Sequence, residues 1–205
     1  MYDWDNKEIW TNKKNWDKQE PPKGSKSLIL TFDDGPSSVL VELLDILKKN
    51  NVKALFFWQS KLLHKNRPWK RVIEEGHMIG GHSLRHRVLT RLSYSDQLHD
   101  ITTNLKQIET LTGQKVKYFR PPYGQFNEDT LQVLKELGVV PFLWEVAGLD
   151  WEPKQNPLHI VHNILNHAED GSVILLHELK QTVEILDELI SELKLEGYEF
   201  LLPPK

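Results

Sequence analysis

The sequence predicts an α/β fold with a parallel sheet covered by helices. Two observations carry this: about seven short apolar or β-prone runs, and segments of helical period after nearly all of them. Parallel strands need long crossovers, and the helices that make them cover the sheet. A third observation points to one core, since 205 residues with 39% hydrophobic and 27% charged content suit a single globular domain. Periodicity leaves open whether the sheet closes into a barrel or stays open and doubly wound.

The first strand runs through Leu28, Ile29, Leu30, Thr31 and Phe32 and stops at Asp33-Asp34-Gly35-Pro36. It delivers two carboxylates to a C-terminal rim, where α/β proteins place their chemistry. Like charges held close raise one another's pKa unless a cation intervenes, so a bound metal is one reason for the pair. Capping of the next helix is the other. Residues 39–49 repeat leucines at helical spacing, and Asn50-Asn51 supplies the exit. Residues 53–58 are β-prone, followed by a basic loop and a helix over 68–75. Residues 76–81 read as a turn and a short strand that emerges at His82.

Residues 93–111 form a long amphipathic helix with Leu98, Ile101, Leu105 and Ile108 on one face, ended by Thr112-Gly113. Residues 116–119 are the next strand. Arg120-Pro121-Pro122-Tyr123-Gly124 must then leave the sheet, because proline cannot donate to its ladder. A helix over 127–137 takes Asn127 as N-cap and Gly138 as its stop. A strand over 139–144 runs into the loop around Asp150-Trp151, and a helix over 157–168 is entered through proline. The apolar strand 172–176 ends at His177, and a helix over 182–195 and a strand over 198–202 complete the chain.

Composition narrows the function. A net charge of -3 gives no support for binding nucleic acid or an anionic membrane, and favours uncharged or weakly charged substrates. No apolar stretch approaches the roughly 18 residues that span a bilayer. With no cysteine, disulfides are excluded, and any metal must be held by His, Asp or Glu. Residues 1–25 lack the layout of a signal peptide, which fits either a cytoplasmic start or the trimmed beginning of an exported protein. Trp4, Trp10 and Trp16 in this extension are expected to strap over the domain formed by 26–205, with sugar stacking as the alternative.

The residues suited to chemistry gather at predicted strand ends: Asp33, Asp34, His82, His86, Arg120, Asp150 and His177. His82 and His86 stand at i and i+4 and lie together if their segment turns helically. One acid with two such histidines makes a three-ligand site with positions left open, the pattern of a catalytic metal centre. The other six histidines do not follow apolar strands and are expected to be ordinary polar residues.

The chain resembles the polysaccharide deacetylase family, the NodB-homology domain of carbohydrate esterase family 4. Residues 31–36, 82–86, 120–124, Asp150-Trp151 and Leu175-Leu176-His177 match its five motifs in order, within a likeness covering about 27–202. The resemblance implies a deformed (β/α) barrel of about seven parallel strands and metal-dependent removal of N-acetyl groups from N-acetylglucosamine polymers, peptidoglycan or chitin-like. It implies one divalent ion on Asp34, His82 and His86, zinc foremost, with cobalt, nickel or manganese as alternatives. Asp33 becomes the general base, paired with Arg120, which favours its ionised form. Tyr123 supplies a backbone N–H to the oxyanion, and His177, tuned by Asp150, is the general acid. Trp151, Leu175 and Tyr123 wall the substrate slot.

This chain also departs from the family. Gly81 stands where many relatives carry Asn, Arg85 and Arg87 make the second motif basic, and Ala147 replaces a frequent acid. These departures bear on sugar specificity more than on chemistry. The implied partner is an N-acetylated glycan met by a monomer at the cell surface or outside it, or in the cytoplasm if Met1 is the native start. Competing readings are an acetylxylan O-esterase, a non-catalytic carbohydrate-binding homologue, and an intracellular amidohydrolase acting on a small molecule.

Overall fold

A computed structural model describes residues 9–11, 26–152 and 156–204. Among the described residues, eight strands, all paired in parallel, form one curled half-barrel: β1 (Lys26–Gly35), β2 (Leu55–Trp58), β3 (Met78–Gly81), β4 (Tyr118–Phe119), β5 (Val140–Pro141), β6 (Val146–Ala147), β7 (Ser172–His177) and β8 (Tyr198–Phe200). Their order is β5-β4-β3-β2-β1-β7-β6, with β8 beside the beginning of β1. The helices are α1 (Leu40–Lys49), α2 (Trp69–Glu74), α3 (Tyr94–Thr112), α4 (Glu128–Glu136), α5 (Leu158–His167) and α6 (Lys180–Leu195). Among the described residues no helix is long and apolar enough to cross a membrane.

The two-residue period of β1 creates two environments. Leu28, Leu30 and Phe32 join the core between sheet and helices, with Leu40, Leu43, Leu44 and Leu47 of α1. Ile29 faces the concave side, in a smaller core with Leu55, Phe57, Tyr118, Phe142 and Val173. By the same alternation Thr31 and Asp33 point inward, which places polar atoms inside the curl. Arg120 meets both of them there, its Nη1 donating to Thr31 Oγ1 at 2.8 Å and to Asp33 Oδ1 at 2.7 Å.

The strand expected over 139–144 is reduced to two residues, and a second short strand follows where a loop was expected. Val140–Pro141 pairs with β4, whereas Val146–Ala147 pairs with β7 at the other end of the sheet. The intervening chain crosses between the ends of the half-barrel, and its apolar side chains are buried for that reason rather than by membership of one strand. Arg120 stitches this crossing, donating from Nε to Phe142 O (3.1 Å) and from Nη2 to Leu143 O (2.9 Å). Trp10 docks at the same place. Its N–H donates to Pro141 O, its carbonyl accepts from Leu143 N, and its ring stacks on Phe142 at 5.6 Å. Trp4 and Trp16 lie outside the described residues.

Helix ends follow local chemistry. Ser93 caps α3, Gly113 ends it in the left-handed region at φ 68°, and Asn127 and Thr130 form a capping box at α4. The last helix begins at Lys180, two residues before the position its apolar spacing indicates, as a turn opened directly after β7.

Candidate active site

Asp33 and Asp34 lie at the C-terminal end of β1, as the sequence predicts, but they do not cap a helix. α1 starts only at Leu40, with Val39 at its N-cap and no side-chain cap. Asp34 turns away from the strand at φ 65°. There its Oδ1 lies 3.3 Å from His86 Nε2 and 3.6 Å from His82 Nε2. Asp34, His82 and His86 each offer one ligand atom, all within 4.8 Å of one another.

The two imidazoles are not brought together by a helix. Ser83 and His86 take left-handed φ values of 64° and 56°, so 82–86 is a tight turn. That turn is held from several sides. His86 N donates to Ser83 Oγ (2.8 Å), Leu84 N donates to Asp100 Oδ1 (2.8 Å), and Asn104 Nδ2 donates to Ser83 O (2.6 Å) and Trp58 O (3.0 Å). Asn104 also explains Gly81, because a Cβ there would sit 2.5 Å from Asn104 Oδ1.

His82 Nδ1 lies 2.6 Å from Arg120 O and, facing a carbonyl, must carry the proton, leaving Nε2 free toward Asp34. Burial, reinforced by His86 and Arg120 against Asp34, pulls the His82 pKa down to about 3, so the ring is neutral near pH 7. Gln59 Nε2 orients Asp34 by donating to Oδ1 at 2.8 Å. A carboxylate and two imidazoles, one with its tautomer set, suit a divalent ion of zinc type with coordination positions to spare.

Asp33 is 3% exposed and held by the fully buried Arg120, whose guanidinium also lies 4.2 Å over the Phe57 ring. Burial raises the Asp33 pKa above the ordinary carboxylate value by more than Arg120 and His177 lower it. Arg120 favours the ionised form, as expected, but burial opposes it with the larger effect, so the carboxyl is on balance more basic than an exposed aspartate.

His177 ends β7 beside Asp33 in register. Its Nδ1 donates to Asp150 Oδ1 at 2.8 Å, and its backbone N–H donates to Asp150 Oδ2 at 2.6 Å. Thr182 Oγ1 donates to the same Oδ2 at 2.6 Å, so the fully buried Asp150 is fixed on both oxygens. Burial disfavours the imidazolium, but the Asp150 hydrogen bond and charge, with Asp33 and Asp34, carry the His177 pKa above its ordinary value.

These groups meet in a cleft of about 630 Å³, walled by Tyr123, Trp144, Trp151, Leu175 and Leu179. Trp151 is 47% exposed and meets His177 edge-on at 5.2 Å. Tyr123 is 58% exposed and lies 4.5 Å from the His86 ring. Its backbone is left-handed at φ 61°, within a turn where Gly124 and Gln125 donate to Pro121 O and Pro122 O. Because the two prolines have no N–H, Tyr123 supplies the remaining amide of the turn. Leu175 is 3% exposed and belongs to both wall and core. Trp144 and Leu179 escape the sequence reading, although Leu179 follows an apolar strand and Trp144 ends an apolar run in the sequence.

His77 lies outside this cluster. It is buried at the start of β3, accepts a hydrogen bond from Ala54 N at Nδ1, and has its pKa lowered to about 4 chiefly by burial.

Comparison with known proteins gives a consistent pattern. The polysaccharide deacetylase family profile matches residues 20–142. The peptidoglycan-N-acetylglucosamine deacetylase PgdA of Listeria monocytogenes is 38% identical over 182 residues, covering 87% of this chain and 38% of its own length. The chain thus spans well under half of that relative. The structure of the peptidoglycan deacetylase PdaC from Bacillus subtilis aligns with a TM-score of 0.78 at 34% identity, covering 86% of this chain and 87% of that one. BA3943, a family 4 pseudoenzyme from Bacillus anthracis, aligns with a TM-score of 0.80 at 29% identity, covering 86% of this chain and 63% of that one.

Proposed function

The chain belongs to the polysaccharide deacetylase family, and on that premise we propose that it is a metal-dependent hydrolase removing N-acetyl groups from N-acetylglucosamine residues of peptidoglycan. The observation that supports this most directly is one cleft lined by the Asp34, His82 and His86 donor set together with Asp33 and His177, each held by a buried partner, Arg120 or Asp150. A binding protein has no need of both proton-handling pairs.

A divalent ion on Asp34, His82 and His86 would polarise the acetyl carbonyl and acidify a nearby water. Asp33, made more basic by burial and aimed by Arg120, takes the proton of the attacking water. The Tyr123 N–H donates to the developing oxyanion. His177 carries its proton on the nitrogen opposite Asp150 and passes it to the departing amine, so acetate and a free amino sugar leave. Tyr123 and Trp151 offer exposed rings to the sugar, and Leu175 narrows the slot for the methyl group. We read the substrate as wall glycan met by a monomeric domain at the cell surface.

The test is acetate release from N-acetylglucosamine oligomers and peptidoglycan by metal-stripped protein resupplied with zinc or cobalt. Metal-dependent release is expected. A protein that binds metal yet releases no acetate from these or from acetylated xylan overturns the reading. It then favours the second reading, a non-catalytic glycan-binding homologue, which the likeness to a pseudoenzyme of the same fold keeps in play.

A further inference from the structure

A second cleft, of about 600 Å³, lies between the turn Ser60–Leu62, the tip of the 82–86 turn and the C-terminal half of α3. It shares no lining residue with the first. Lys61, Arg85 and Lys106 line it, with Gln107 and Thr110 as neutral polar neighbours, and no carboxylate is among its lining residues. Among the described residues none of the three cations forms an ion pair. The acid that Arg85 influences, Asp100, is buried and already bound to Leu84 N. The cleft also contains Ser60, which is 4% exposed and whose hydroxyl has no hydrogen-bond partner among the described residues.

Three like charges around one hollow repel each other, and an anion seated among them relieves that repulsion. The overall charge of -3 conceals this local basic site. Its place also matters, because residues of the two clefts are neighbours in the chain. Gln59, which orients Asp34, precedes Ser60, and Arg85 lies between His82 and His86 in the chain.

We propose that this second cleft binds a carboxylate of a peptide branch on the glycan strand whose acetyl group occupies the first. The inference rests on the peptidoglycan reading, whose strands carry acidic peptides, and it adds a specificity site formed by Lys61, Arg85 and Lys106. Uncharged chitin-like oligomers would leave it unused.

The experiment compares the wild type with the double variant K61E/K106E in binding three ligands: peptide-bearing soluble glycan strands, the same strands with carboxylates amidated, and N-acetylglucosamine oligomers. The variant is expected to bind the acidic strands about tenfold more weakly and the oligomers as the wild type does. The wild type is expected to favour acidic over amidated strands, with a preference that shrinks as salt is raised. Equal binding of acidic strands by both proteins, or of acidic and amidated strands by the wild type, overturns the proposal. Acetate release from the oligomers is scored separately. Release without carboxylate preference removes the second cleft alone, whereas no release from any ligand removes the deacetylase reading.

Discussion

Arg120 Nη1 donates to Asp33 Oδ1 at 2.7 Å, and the remaining nitrogens of the same guanidinium hold the carbonyls of Phe142 and Leu143. One buried cation therefore orients the proposed base and ties down the crossing between the ends of the half-barrel. Its own backbone carbonyl sets the tautomer of His82. Structure and chemistry cannot be separated at this residue.

Replacing it should show both roles. Arg120→Leu leaves Asp33 buried without its partner and frees two carbonyls, a loss of roughly 3–5 kcal/mol in stability together with turnover. Arg120→Lys keeps the charge but not the fork, and should retain more stability than activity. Thermal unfolding and acetate release measured on both variants check this. A leucine variant as stable as the wild type would contradict the role of the pair.

Asp33→Asn removes the base without touching the donor set. Turnover should fall by roughly 10²- to 10⁴-fold while metal binding survives. His82→Ala should lose both. Metal titration calorimetry beside the activity assay separates the two, and retained turnover in Asp33→Asn would remove Asp33 as the base.

The second layer around the 82–86 turn should matter without touching substrate. Asn104→Leu loses the bonds to Ser83 O and Trp58 O, and Asp100→Asn weakens the hold on Leu84 N. Each should lower metal affinity by roughly 10- to 100-fold. Competition against a chromogenic chelator gives that affinity directly, and an unchanged value in both variants would show that the turn holds itself.

The pH profile of turnover should be bell-shaped. Asp33 works ionised, and burial raises its pKa, so the acid limb lies above the ordinary carboxylate range. His177 works protonated, and against the opposing effect of burial Asp150 carries its pKa above the ordinary 6.5, so activity is lost as pH rises through that raised value. The stability contributed by the His177–Asp150 pair has the same sign. It is fully present below the unfolded pKa of about 6.5 and is lost as pH rises through the folded one. Asp150→Asn should move the alkaline limb to lower pH and leave the acid limb in place; an unmoved alkaline limb would detach it from His177.

The sequence by itself determined the alternation of strands and helices, because burial on both faces of a parallel sheet writes continuous apolar runs and its crossovers write a 3.6-residue period. It also determined which residues stand at strand ends, since a run such as Leu28 to Phe32 has to stop where the carboxylates of Asp33 and Asp34 begin. Tertiary structure alone decided the rest. Period cannot tell a six-residue apolar strand from a short strand that leads into a crossing, so the early end of the strand at Pro141 and the separate pairing of Val146–Ala147 were invisible. Spacing brought His82 and His86 together on an imagined helix, whereas left-handed turns at Ser83 and His86 are what join them. The balance on Asp33 was hidden for a related reason. An adjacent arginine lowers a carboxyl pKa and burial raises it, and only the depth of the residue inside the folded sheet determines which effect is larger.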